Sequence, residues 1–85
     1  MFEYDPDKSA ANLAKHGIDF VQAQTLWADD RRTEIDVIRG LERRTLTTGM
    51  VDGKLWTAVH TERGNSIRII SARRAWEKEI RRYGH

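Results

Sequence analysis

The chain has 85 residues and no cysteine, so it forms no disulfide and offers no thiolate to a metal. It has no apolar run near the ~20 residues that a membrane span needs. Its first residues, MFEYDPDK, are acidic and lack the charge and apolar core of a signal peptide, so a cytoplasmic location is expected. It also lacks repeats and low-complexity linkers. What remains is 39% hydrophobic and 33% charged. That composition fits one small globular domain, residues 1–85, around one core.

The formal net charge is only +2, but the charge is unevenly spread. Residues 1–38 carry four Lys/Arg against eight Asp/Glu, whereas residues 39–85 carry eleven against five. An acidic half joined to a basic half suits a surface for an anionic partner. Arginines that merely solvate a helix account for the same asymmetry about equally well.

Residues 2–4, FEY, are a candidate short edge strand. Asp5 is a good N-cap and Pro6 suits the first helical position, so a helix is predicted over 6–16 with Gly17 as its stop. Asp19 and Gln22 form a capping-box pair for a second helix over 20–28. The segment 29–42 is charged, with 34-EIDVI-38 a candidate short strand. From Arg43 the pattern is β: strands over 43–51, 54–62 and 66–71, the first two joined by the strong hairpin signal 52-DG-53. Ser71 can cap a last helix over 72–84. The expected fold is α+β: a three-stranded antiparallel meander plus candidate edge strands, two N-terminal helices and one C-terminal helix.

Register then assigns faces. A two-residue turn at 52–53 pairs Met50 with Leu55, Leu46 with Val59 and Thr45 with His60. Leu46, Met50, Leu55 and Val59 therefore read as the core face. A three-residue loop, 63–65, places Ile67 and Ile69 on that same face and pairs His60 with Arg68. The opposite, outer face then carries Arg43, Thr45, Trp56, His60, Glu62, Arg68 and Ile70. A solvated face with charges paired across strands is the commoner meaning of such a set. The sharper one is an anion site with a titratable imidazole. No His/Asp/Glu cluster has metal-ligand spacing, so neither a metal nor a cofactor is expected.

The stretches FEYDPDKSAANLAKHGIDF and HTERGNSIRIISARRAWEKEIRRY resemble the BrnT toxins of bacterial type II toxin–antitoxin pairs. The resemblance covers nearly the whole chain, and residues 28–40 match least well. It implies a RelE-like fold and a ribonuclease activity that blocks translation. It also implies a BrnA-like antitoxin with a ribbon-helix-helix part, and an operator DNA site for the complex. Lys15, His16, Glu62, Arg63, Arg68, Ser71, Arg73 and Tyr83 occupy the family's motif positions.

RNA cleavage without a metal needs a base for the 2′-OH, an acid for the leaving 5′ oxygen, and cations for the phosphate. The expected catalytic set is His60 or Glu62 as base or acid, with Arg63 and Arg68 on the phosphate. Arg43, Arg73, Lys15, His16 and a stacking Trp56 are expected to hold RNA. The alternative from another class is a non-catalytic protein that binds the antitoxin and acts in operon repression.

Overall fold

Local capping signals organise the first third of the chain. In the computed structural model, which describes residues 1–84, Asp5 accepts a hydrogen bond from the Asp7 N–H at 2.9 Å. Pro6 opens helix α1, Pro6–His16, and Gly17 closes it at φ +84° by donating its N–H to the Leu13 carbonyl. Asp19 and Gln22 exchange the two bonds of a capping box at 2.7 and 2.9 Å. The helix they start, α2, covers only Phe20–Ala23 and then tightens into a 3-10 segment, Gln24–Ala28.

The strands are β1 (Phe2–Glu3), β2 (Thr33–Arg39), β3 (Glu42–Val51), β4 (Lys54–Arg63) and β5 (Ser66–Arg74), and α3 is Glu77–Tyr83. They form one sheet in the order β1-β5-β4-β3-β2. Strands β2 to β5 are an antiparallel meander, and β1 joins β5 in parallel. The α+β class stands, but the sheet has five strands and is mixed. The stretch 34–38 lies inside a full edge strand because β2 pairs with β3 along its whole length.

The first hairpin has the expected register, with Asp52 and Gly53 both at positive φ in its turn. The second does not. Arg63 pairs with Ser66, so the loop is the two residues Gly64–Asn65 rather than three. His60 pairs with Ile69 and Val59 with Ser71, which leaves Ile70 as the extra residue of a β-bulge. The strand also continues to Arg74, where a helix from Ala72 was expected. Residues 71–74 stay extended because they pair with Trp56–Val59 and because Asn12 grips Ala72. The Asn12 Nδ2 donates to the Ala72 carbonyl at 2.9 Å, and its Oδ1 accepts from the Ala72 N–H at 3.2 Å.

The faces are the reverse of the sequence-based expectation. Ile18, Phe20, Ala23 and Leu26 of the helical layer are buried with Val51, Ala58, Ile69 and Ala72 of the sheet. Trp27 and Trp56 pack against this cluster. On β3 and β4 the side facing the helices is therefore that of Thr47, Gly49, Ala58 and His60. The bulk comes from the helices, so the strands opposite must be small. A Cβ on Gly49 would meet Leu26 Cδ2 at 3.1 Å and the Leu26 carbonyl oxygen at 3.2 Å. Leu46, Met50, Leu55 and Val59 lie on the other face, which the short α3 covers in part.

Candidate nucleic-acid interface

The second face of the sheet is left largely open because α3 is only seven residues long. Val37, Leu46 and Val59 form the floor of a groove of about 490 Å³ there. Its walls are Arg39, Glu42 and Arg44 from the β2–β3 end and Arg73, Trp76 and Lys78 from the α3 end. Four cations and one carboxylate thus line it. Arg44 Nε reaches Glu42 Oε1 at 2.8 Å, an exposed pair of small energetic weight.

The α3 wall is held from beneath. Glu79 is 2% exposed and takes both guanidinium nitrogens of Arg73, at 2.8 and 2.9 Å. Glu79 Oε1 also accepts from the Trp76 N–H at 2.7 Å and from the Thr57 hydroxyl at 2.9 Å. Thr57 is in turn bonded to Thr48 at 2.7 Å. Burial acts against ionisation of this carboxyl, but the Arg73 pair, the Trp76 N–H and the Thr57 hydroxyl outweigh it. Its pKa falls to about 2, so Glu79 is charged at neutral pH. The Arg73 guanidinium lies 3.6 Å from the centre of the Trp76 ring, and Lys78 Nζ lies 5.6 Å from it.

The sequence-predicted residues are split between two faces and one helix end. Arg63 and Arg68 are on the open face, beside β1, where Glu3 Oε1 lies 3.8 and 3.6 Å from their guanidinium nitrogens. Arg73 is on that face too, at the groove. His60 is on the opposite face and 4% exposed, so the expected juxtaposition of His60 with Arg68 does not occur. Its Nε2 is 2.7 Å from the Thr47 hydroxyl, its ring meets Trp27 edge-on, and its Nδ1 has no partner. We assign the proton to Nε2, donating to Thr47, because Nδ1 is then a bare acceptor rather than an orphaned donor. Burial pulls its pKa down to about 4, against the opposing pull of Asp36, so the ring is neutral at pH 7.

Glu62 and Arg43 share the His60 side of the sheet, at its exposed end. With Asp36, Thr45 and Thr61 they line a separate shallow depression. Trp56 is half-buried on the helical core, with the Arg74 guanidinium 5.4 Å from its ring centre. Lys15 and His16 end α1, in the helical layer. Among the described residues no group of three His, Cys, Asp or Glu is placed to hold a metal ion. No helix there is long and apolar enough to cross a membrane.

Sequence reasoning missed Arg39, Glu42, Arg44, Trp76, Lys78 and Glu79. One signal was available. In 76-WEKE-79 a glutamate stands three residues after the first position, which is the spacing of a capping glutamate and marks a helix start at Trp76. Arg39, Glu42 and Arg44 had no such mark, because the length of β2 is set by its partner strand.

Among curated proteins, no relative matches the chain. A family model does match, over residues 4–79, a span that holds the whole groove and the buried glutamate beneath it. With that match over most of its length, the chain belongs to the BrnT family, the ribonuclease toxins of type II toxin–antitoxin systems.

Proposed function

We propose that the protein is a metal-independent endoribonuclease that blocks translation by cutting RNA across the open face of its sheet. The carrying observation is the groove itself: four cations and one carboxylate around an apolar floor, beside an exposed tryptophan. Phosphates ride on Arg44, Arg73 and Lys78, with Arg63 and Arg68 extending the cationic surface towards β1. Glu42 takes the proton of the 2′-OH as that oxygen attacks the adjacent phosphorus. The P–O5′ bond breaks, the Lys78 ammonium protonates the departing 5′ oxygen, and a 2′,3′-cyclic phosphate remains. Arg44 and Arg73 stabilise the charge that builds on the phosphate oxygens. His60 is enclosed between Thr47 and Trp27, which favours a packing role over proton transfer.

A BrnA-like ribbon-helix-helix antitoxin would neutralise the toxin and carry the pair to operator DNA. A second reading, a non-catalytic antitoxin-binding protein, draws support from the β2–β3 hairpin. There Ile38 and Leu41 are 65% and 108% exposed, an apolar tip suited to a protein partner.

Induced expression with RNA integrity followed over time separates the two. Wild type degrades RNA, Glu42→Gln loses cleavage by roughly 10²–10⁴-fold, and His60→Gln, checked for folding by circular dichroism, keeps it. A folded Glu42→Gln protein as active as wild type would remove the carboxylate from the mechanism. Intact RNA with wild type would favour the binding reading.

A further inference from the structure

We infer that Trp76 is a preformed stacking platform for one unpaired base, and that Glu79 is the residue that positions it. The inference gives the proposed ribonuclease site a substrate class, single-stranded nucleic acid.

Trp76 stands at the mouth of the groove and is 54% exposed, unusual for so large an apolar side chain. It is nonetheless fixed. Its backbone N–H is tied to Glu79 Oε1 at 2.7 Å, and Arg73 lies against its ring at 3.6 Å. Arg73 is itself clamped by both oxygens of the buried Glu79 carboxylate. The chain Thr48–Thr57–Glu79–Arg73–Trp76 therefore runs from the interior of the sheet to an exposed indole. A tryptophan placed only to cover the core would be buried by it. Trp27 from the helical layer and Trp56 from β4 do that work, and both are only partly exposed.

Charge around the ring favours a nucleotide over an apolar peptide. Arg73 and Lys78 flank the indole, and Arg39 and Arg44 stand across the groove. A base stacks on any aromatic face, while its phosphates need cations within reach of the same face. A paired base keeps both of its faces within the helix, so the platform selects unpaired nucleotides. The Lys78 ammonium, 5.6 Å from the ring centre on a flexible stem, can follow a phosphate without leaving the platform.

The test uses the full chain and a short single-stranded 2′-deoxy oligonucleotide, which lacks the 2′-OH and so binds without being cut. Binding is read by anisotropy of the labelled oligonucleotide and by tryptophan emission. Wild type binds and its emission is quenched. Trp76→Ala, at a position exposed enough to leave folding intact, binds about tenfold to a hundredfold more weakly and loses the quench. Trp76→Phe retains most of the affinity. Glu79→Gln, confirmed folded, binds several-fold more weakly with a reduced quench, because the ring is still present but no longer fixed. A duplex of the same sequence competes poorly.

Trp76→Ala binding as tightly as wild type overturns the platform, whatever RNA cleavage does. So does a Trp76→Ala protein that loses only its antitoxin, since the indole would then be a protein contact. Trp76-dependent binding together with intact RNA would sustain the platform and remove the proposed cleavage.

Discussion

Two buried titratable side chains are both held without their proton, His60 as a neutral ring and Glu79 as a charged carboxylate. His60 is neutral in the fold, with its pKa held near 4 by burial, whereas an unfolded histidine titrates near 6.5. The unfolded state therefore binds a proton first, and stability falls as pH drops from about 6.5 to 4, by on the order of 3 kcal/mol. Glu79 is charged in the fold down to about 2, below its ordinary 4.5. Its contribution is present above pH 4.5 and is lost as pH falls towards 2. Denaturant titrations across this range should show two descending stretches. His60→Gln should flatten the upper one and Glu79→Gln the lower. An upper stretch that persists in folded His60→Gln would mean that other groups drive it.

At the scale of elements, β5 decides the site. Its bulge at Ile70 shifts the strand by one residue, so that Arg73 pairs opposite Thr57 and faces α3. Without the extra residue Arg73 would point into the helical layer. Asn12 secures this strand from α1: it is 7% exposed and bonds the Ile18 carbonyl as well as both polar groups of Ala72. Asn12→Leu should lower stability by about 3 kcal/mol, because it strands buried backbone groups without partners. Thermal or denaturant unfolding measures this, and a loss below 1 kcal/mol would mean that water replaces the amide. The caps of α1 and α2 and the 52–53 turn were legible because each is a local motif with its own hydrogen bonds. The bulge was not, since nothing near Ile70 marks it and its cause is the pairing of distant Val59 and His60.

Across the whole molecule the sheet and the helical layer place the charges on different faces. Arg39, Arg44, Arg63, Arg68, Arg73 and Lys78 come from five elements yet lie on one open face. Lys15 and His16 sit in the helical layer behind it. RNA binding should therefore weaken with salt, and its log–log slope should shrink by about 0.7 for each phosphate contact removed. Arg44→Ala and Lys78→Ala should each show that change, and Lys15→Ala should not. A slope that responds equally to Lys15→Ala would place RNA on the helices instead.

Local sequence patterns set the class of fold, the starts of the first two helices, the register of the first hairpin and the motifs of the family, because these depend on neighbours along the chain. Alternation along β3 and β4 also divided their residues correctly into two sets. Which set was buried was a tertiary matter. Period-two alternation carries no sign, and size misleads when the opposite layer supplies the bulk: Phe20, Leu26 and Trp27 need Gly49, Thr47 and Ala58 beneath them. That choice put His60 inside, turned Leu46 and Val59 outward as a groove floor, and assembled Glu42, Arg44, Arg73 and Trp76 from residues far apart in the chain.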